Sequence, residues 1–219
     1  MQLSGWGRYP TAIAKIIEPV SQKSAQSHFL NKTHGNPIIA RGSGRSYGDS
    51  ALADHVLNTR FLDNFISLNT AKSTVTCGSG VQIKDMLNLI IPAGFFPPVL
   101  PGTKYVTVGG AIAADIHGKN HHQEGSFCQN LVSFDLLLAN GEIIQCSRSK
   151  QEDLFRATCG GMGLTGIILN ATITLKKVAS VFIDQRTRVA SNLSECMDVF
   201  DASEECEYSV AWLDAQAQG

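Results

Sequence analysis

The sequence lacks a stripe of basic residues. Lysine and arginine number 18 against 19 acidic residues, which gives 219 residues a formal net charge of -1, and no long cluster of Lys and Arg occurs. Binding to a nucleic-acid backbone requires clustered positive charges that displace counterions. The composition therefore argues against a nucleic-acid partner, and any anionic ligand would be bound locally.

Paired cysteines and long apolar runs are also missing. The six cysteines are scattered without a CxxC pair, so their spacing supports neither a zinc knuckle nor a disulfide framework, and we expect free thiols. No apolar run approaches the roughly 20 residues of a membrane-spanning helix, and the first residues do not resemble a signal peptide. We expect a cytoplasmic protein and leave peripheral membrane association open.

What the sequence does contain is typical of a folded domain. Apolar residues make up 43% and charged residues 17% of the chain, and the mean hydropathy is +0.01. Hydrophobic periodicity and turn residues place the secondary structure. The patterns predict helices over 21–30, 81–91, 152–157 and 193–202, and strands over 38–40, 55–58, 65–69, 74–77, 131–139, 142–146, 165–176 and 181–189.

Two sequence signals predict turns between these elements. Gly35 and Pro37 are expected to end the first helix, and Asn140 with Gly141 predicts a β-hairpin.

The glycine content changes along the chain and predicts a domain boundary. Glycines become rare after residue 178, where we place a boundary between a domain over 1–178 and the start of a second over 179–219. The second part ends in an apolar, strand-like segment over 208–213. About 40 residues are few for an independent core, so we expect the chain to be a fragment of a longer protein.

The first glycine-rich loop runs from Arg41 to Asp49 and follows a predicted strand. Its glycines allow successive backbone amides to point inward as an anion-binding nest, and Ser43 and Ser46 add hydroxyl donors. A glycine-rich turn without a ligand explains the pattern about equally well. The spacing is not a dinucleotide fingerprint, because Tyr47 stands where a third glycine is required.

A second run, from Pro101 to His122, holds small residues and then histidines. Its amides at Pro101–Thr103 and at Thr107–Gly110 would lie at the start of a short helix, where the dipole favours a phosphate. Close packing of that helix in a core is the alternative. His117 and His121 have the spacing of helical metal ligands, yet Gly118 and Asn120 make a continuous helix doubtful. We therefore interpret the histidines and Lys119 as a polar wall facing a reacting group, and we predict no metal site.

Other nucleotide motifs are absent or misplaced. A GxGxxG sequence occurs from Gly161 to Gly166, but it follows a helix and precedes a strand, the reverse of a dinucleotide-binding site. We interpret it as a tight connection whose backbone could abut a ligand. No GxxxxGK[ST] sequence occurs, which argues against a P-loop nucleotidase.

Together these segments resemble a known family. ARGSGRSYGD, VLPGTKYVTVGGAIAADIHGKNHH, GSF, ANGEI and GGMGLTGII are similar to the PCMH-type FAD-binding domain of the vanillyl-alcohol oxidase flavoprotein superfamily. Within it, the IHGKNHH run resembles the bacterial decaprenylphosphoryl-β-D-ribose 2-oxidases. The resemblance implies an α+β fold in which two small α/β lobes bind FAD, followed by the beginning of a substrate domain.

The resemblance also implies the site. The FAD pyrophosphate would be held by Gly42 to Ser46 and by Pro101 to Gly110, and the adenine would reach the strand at Gly166 to Ile168. The implied catalytic residues, near the flavin ring, are Tyr47, His117 and Lys119. The implied cofactor-binding residues are Arg41, Gly42, Ser43, Gly44, Arg45, Ser46, Tyr47, Pro101, Gly102, Thr103, Val106, Thr107, Gly109, Gly110, Ala113, His117, Gly118, Asn120, Gly166 and Ile168.

The expected chemistry is oxidation of a secondary alcohol of a sugar by hydride transfer to flavin N5. Because Arg45 stands where several superfamily members carry a histidine bonded to the flavin, we expect non-covalent FAD. The implied substrate is a small-molecule or lipid-linked sugar, in particular a polyprenylphosphoryl ribose, and an epimerase or reductase would take the keto product. Two alternatives remain: an alditol or aldonolactone oxidase of the same superfamily, and an interaction module without FAD. We expect this fragment to bind FAD without turnover.

Overall fold

The computed structural model describes residues 1–30 and 37–213. Within them the strands are β1 (Gln2–Ser4), β2 (Thr11–Ile13), β3 (Lys15–Ile17), β4 (Ile38–Arg41), β5 (His55–Asn58), β6 (Phe65–Asn69), β7 (Thr74–Gly78), β8 (Phe95–Phe96), β9 (Leu131–Leu137), β10 (Ile143–Ser147), β11 (Ile167–Thr174) and β12 (Lys176–Lys177). The α-helices are α1 (Gln22–Leu30), α2 (Ile83–Ile90), α3 (Val108–Ala113), α4 (His121–Glu124), α5 (Glu152–Thr158) and α6 (Leu193–Asp201).

Two sheets define two lobes. The first lobe contains three parallel strands in the order β3-β5-β4, and the second contains five antiparallel strands in the order β10-β9-β11-β7-β6. Short pairs, β1 with β2 and β8 with β12, complete the strand pairing. This mixed α/β architecture confirms the predicted fold class and its two lobes.

Strand β11 packs on two hydrophobic clusters at once. Ile167 and Leu169 belong to the cluster that includes α1 and β5, whereas Ile168 faces the larger cluster beneath α2, α3 and α5. A register shift between Ile168 and Asn170 then places Ala171 and Ile173 on the same side as Ile168, as a β-bulge does. The central strand therefore holds the two lobes together through both of its faces.

Most predicted elements are confirmed. Helix α1 begins after Ser21, whose Oγ accepts a hydrogen bond from the Ser24 amide at 3.1 Å, as a helix cap does. The hairpin at Asn140 and Gly141 joins β9 and β10. The expected role of Gly35 in ending α1 lies outside the described residues.

Two predictions in the last part of the chain are wrong. No strand forms over 181–189, where Phe182 is 88% exposed and Val189 91% exposed, and none forms in the described segment 208–213. A strand needs a partner strand, and neither segment pairs with one within the described residues. Helix α6 does form, with Asn192 Oδ1 accepting from the Glu195 amide at 2.9 Å. The sequence analysis also missed β1, β2, β3 and the pair β8–β12.

Candidate functional site

A cavity of about 390 Å³ opens where the two lobes meet, within the size range of small-molecule sites. Its lining comes from the loop after β4, the residues that follow β5 and β7, the surroundings of α3, and the connection before β11. The lining residues are Ala40, Gly42, Ser43, Gly44, Arg45, Ser46, Tyr47, Ser50, Ala51, Thr59, Ser79, Val106, Thr107, Gly109, Gly110, Ala113, Ala114, Ile116, Met162, Gly163, Gly166 and Ile168. None of them is acidic, so the lining suits an anionic ligand.

The first glycine-rich loop presents free backbone donors to this cavity. Within the described residues, the amides of Ser43, Gly44, Arg45 and Ser46 have no hydrogen-bond acceptor, although all four residues line the cavity. Gly44 has a φ of 63°, which lets consecutive amides converge. Four adjacent donors without acceptors are the arrangement that the predicted anion nest requires.

Arg41 supports this loop from the side that faces away from the cavity. Its guanidinium donates to the carbonyl oxygen of Ser4 at 2.6 Å and to that of Ala51 at 3.4 Å, and burial lowers its pKa. A Cβ at Gly44 would collide with the Arg41 guanidinium. Arg41 is a predicted cofactor-binding residue, but in the structure it lies outside the cavity lining and braces the loop.

The second predicted phosphate site differs from expectation. The amides at the start of α3 are already bonded: Val108 donates to the Val81 carbonyl at 2.9 Å, Gly109 to the Ser79 carbonyl at 2.9 Å, and Gly110 to Thr107 Oγ1 at 3.2 Å. They cannot also donate to a ligand without losing these bonds. Helix α3 therefore contributes surface and shape, and the amides of Val108, Gly109 and Gly110 are not the exposed donors that were expected there.

The two runs nevertheless meet directly. Thr107 is buried, and its Oγ1 lies where a Cβ of residue 42 would be. Only glycine at position 42 allows this approach, because the Thr107 side chain is fixed by its capping bond to Gly110. The first loop and α3 thus form one continuous wall.

The segment from Pro101 to Thr103 and the histidine-rich turn lie outside the lining. Gly118 and Asn120 are buried, and Asn120 donates to the Pro98 carbonyl at 2.8 Å, so both brace the backbone. His117 and Lys119 are exposed and follow Ile116, which does line the cavity. Of the implied catalytic residues, Tyr47 alone lies in the lining.

The histidines do not form a metal site among the described residues. Helix α4 begins at His121, so His117 and His121 do not share a helix, and their rings meet edge to face with centroids 5.7 Å apart. Lys119 faces the last described segment instead: its carbonyl accepts from the Ser209 amide at 3.0 Å, and its ammonium lies 5.9 Å from the Trp212 ring.

The connection before β11 approaches the cavity as predicted for the GxGxxG sequence. The Met162 amide donates to the Ala113 carbonyl at 2.8 Å, and the Gly160 amide donates to the Ile112 carbonyl at 3.0 Å. These bonds fix the turn on the C-terminal end of α3. Met162 and Gly163 line the cavity as a result.

Several lining residues were missed by the sequence analysis. They are Ala40, Ser50, Ala51, Thr59, Ser79, Ala114, Ile116, Met162 and Gly163. Ser79 is 1% exposed, and its hydroxyl has no partner in the described chain. Ala40, Ala114, Ile116, Met162 and Gly163 lie inside the quoted motifs, whereas no motif marks Ser50, Ala51, Thr59 or Ser79, which the fold brings to the cavity.

An exposed cation marks the edge of the cavity. The Arg45 guanidinium lies 4.7 Å from the Trp6 ring centroid and 5.9 Å from that of Tyr105, distances at which a cation and an aromatic ring attract. Arg45 therefore places positive charge beside the four free amides.

Comparison with known proteins identifies the family. Residues 16–147 match the family described as FAD binding domain. The chain is 38% identical over 221 residues to decaprenylphosphoryl-β-D-ribose oxidase of Mycolicibacterium smegmatis, covering 98% of this chain and 48% of that protein. It is 30% identical over 205 residues to L-gulonolactone oxidase of Bos taurus, covering 92% and 46%.

A more distant likeness extends to plants: cytokinin dehydrogenase 7 of Oryza sativa is 29% identical over 174 residues, covering 76% of this chain and 32% of that protein. The chain spans about half the length or less of these curated relatives. The family confirms the predicted cofactor, FAD, and removes the alternative of a module without FAD. The chain belongs to the family of PCMH-type FAD binding domains.

Proposed function

We propose that the chain is the FAD-binding part of an oxidoreductase that oxidises a secondary alcohol of a sugar, and that the alcohol is the ribose 2-hydroxyl of a polyprenylphosphoryl ribose. One observation carries the cofactor site: four consecutive amides, from Ser43 to Ser46, line the cavity without acceptors in the described chain. The substrate class is supported by the 38% identity to a decaprenylphosphoryl-β-D-ribose oxidase.

The residues present fit FAD at this site. The diphosphate would be held by the Ser43–Ser46 amides, beside Arg45 and with no acidic side chain in the lining. The small residues on α3, Gly109, Gly110 and Ala113, leave room for a flat ligand against the helix. When bound, FAD supplies an acceptor for the hydride that leaves the alcohol carbon.

The chain's own residues then have three proposed tasks. The loop amides bind and orient the cofactor, and the apolar lining, including Ile116 and Ile168, excludes water. Tyr47, which is 73% exposed at the cavity, faces the substrate side. His117 and Lys119 are exposed, so they are available to contact an anionic substrate, and they are proposed to do so in the whole protein.

Binding is tested on the 219-residue chain directly. We expect the purified chain to take up FAD, to show flavin absorbance, and to release the flavin on acid precipitation because no covalent bond holds it. Colour that stays with the precipitate would contradict non-covalent binding, and a chain that never binds FAD would refute the proposed function. We also expect no alcohol oxidation by this chain alone; turnover by it would show that these 219 residues already hold a complete active site.

The substrate is tested on the whole protein. Lipid-linked ribose should be oxidised faster than free alditols or aldonolactones, and the keto product should be consumed by an added reductase or epimerase partner. Lys119→Ala should raise KM or lower kcat for the lipid-linked substrate. If both constants are unchanged, the proposed contact of Lys119 is wrong.

A second candidate substrate class has a specific basis. The 30% identity to L-gulonolactone oxidase of Bos taurus favours an alditol or aldonolactone, a polar substrate that needs no lipid groove. Faster oxidation of L-gulonolactone than of lipid-linked ribose would select this alternative. Association with a membrane belongs to the first candidate only; within the described residues no helix is long and apolar enough to cross a membrane.

A further inference from the structure

The hydroxyl of Ser43 lies between two side chains that approach from different elements. Arg60, in the turn after β5, places Nη1 3.2 Å from Ser43 Oγ. Gln82, immediately before α2, places Nε2 3.1 Å from the same oxygen. Ser43 itself lines the cavity and is half-buried.

The side chains of Arg60 and Gln82 must both donate their hydrogen bonds to Ser43 Oγ. A guanidinium has donors only, so Arg60 cannot accept. Gln82 Nε2 also lies 3.1 Å from the Tyr105 carbonyl oxygen, and a carbonyl can only accept, which fixes the amide with its NH₂ group on this side. Ser43 Oγ therefore accepts two hydrogen bonds, and its own hydrogen must be donated elsewhere. Among residues 1–30 and 37–213 no acceptor for that hydrogen is found.

The positive charge behind this hydroxyl is not neutralised. Arg60 forms no ion pair with an acidic side chain in the described part of the chain, and its Nε is buried without a partner there. A hydroxyl that accepts from a cation is polarised toward donation. The ligand atom that completes this arrangement is an acceptor with negative charge, such as a phosphate oxygen.

We propose that Arg60 and Gln82 are positioning residues that fix the Ser43 hydroxyl as a donor to the diphosphate of FAD. This rests on the proposed function, because it assigns that ligand to the same cavity. The unbonded amides of Gly44, Arg45 and Ser46 continue from Ser43 along the loop, so hydroxyl and amides would bind the same anion. Arg60 acts through Ser43 and contributes selectivity for a charged group over a neutral one.

The test compares ligands that differ in the diphosphate. FAD and ADP contain it and riboflavin does not, so each is titrated against the 219-residue chain by isothermal calorimetry. Ser43→Ala should lower the affinity for FAD and for ADP by about 10-fold or more, the loss typical of a hydrogen bond to a charged group. It should leave the affinity for riboflavin unchanged. Arg60→Met and Gln82→Met should also lower the affinity for FAD and ADP and leave that for riboflavin unchanged. Arg156→Met, which removes an exposed arginine paired with Glu152, is the matched charge control and should bind all three ligands like wild type.

A double variant separates positioning from direct contact. If Arg60 acts through Ser43, then Ser43→Ala with Arg60→Met should bind FAD no more weakly than the worse single variant. Multiplied losses in the double variant would overturn the positioning role, and equal losses for FAD and riboflavin would overturn the selectivity for phosphate. Circular dichroism checks folding, and if Arg60→Met does not fold, Ser43→Ala and Gln82→Met, with their own double variant, decide the question.

The outcomes for wild type keep the two proposals apart. A wild-type chain that binds FAD and ADP, with variants that bind equally well, refutes this inference alone. A wild-type chain that binds neither ligand refutes the proposed function, and this inference with it.

Discussion

Replacing Gly42 by alanine tests the contact that joins the first glycine-rich loop to α3. The added Cβ would come closer than 3.0 Å to Thr107 Oγ1 and would lie 3.1 Å from Thr107 Cγ2 and 3.2 Å from its Cβ. Thr107 cannot turn away cheaply, since it is buried and its Oγ1 caps α3 through the Gly110 amide at 3.2 Å. Either the loop moves away from the helix or the cap breaks.

The expected cost follows from these two options. Overpacking a buried site costs about 1–3 kcal/mol, and losing a helix cap costs about 1 kcal/mol. Because either response relieves the collision, we expect Gly42→Ala to lower the free energy of unfolding by about 1–3 kcal/mol. Urea unfolding followed by circular dichroism measures this change. Because the displaced loop carries the Ser43–Ser46 amides, FAD affinity should fall as well.

A double-mutant cycle identifies the cause. Thr107→Ala removes the colliding atoms. By itself it should lower the free energy of unfolding by about 1 kcal/mol, because it removes the helix cap. In the double variant it should reduce the loss caused by Gly42→Ala by about 1–2 kcal/mol. Gly102→Ala is the matched control, because a Cβ there meets nothing within 4 Å. Additive losses within about 0.5 kcal/mol would refute the contact between residue 42 and Thr107.

Three further predictions address other parts of the site and the core. Amide hydrogen exchange should be fast at Ser43–Ser46 in the free chain and slowed by FAD, whereas the bonded amides of Val108 and Gly109 should be slow in both states; slowing confined to α3 would contradict the loop nest. Arg41→Met removes the donors to Ser4 and Ala51 and should cost about 1.5–3 kcal/mol in urea unfolding, against about 0.5 kcal/mol or less for the exposed control Arg156→Met; equal costs would refute the bracing role. Burial raises the pKa of Cys77 from 9.0 to about 12, so the folded chain keeps a proton that the unfolded chain releases, and this thiol should lower the free energy of unfolding by about 1.4 kcal/mol per pH unit above pH 9. Unfolding at pH 8 and pH 10 should show a smaller decrease for Cys77→Ala than for wild type, and identical decreases would exclude the shift.

Local patterns predicted the fold where a local rule decides it. Periodicity identified α2, and the pair Asn140 and Gly141 identified the hairpin, since turn chemistry acts within a few residues. The segment 181–189 has strand-like composition too, yet a strand forms only against a partner, and no local pattern reports whether one is present. The short strand β8 shows the reverse: Phe95 and Phe96 pair with Lys176 and Lys177, about 80 residues away along the chain, which no local rule could indicate.

The same distinction explains the two predicted phosphate sites. Both runs are glycine-rich, and both had amides that could face an anion. At the start of α3 the acceptors come from Ser79 and Val81, at the end of β7, and the sequence cannot show that this strand end will occupy the helix amides. The backbone amides from Ser43 to Ser46 have no acceptor in the described chain, and the Arg41 guanidinium braces their loop through the carbonyls of Ser4 and Ala51. Glycine content therefore predicts where the backbone can approach a ligand, whereas the hydrogen bonds made by the rest of the fold determine which amides remain free to bind it. For this reason our proposal places the diphosphate at the loop, and α3 is the wall that the loop packs against.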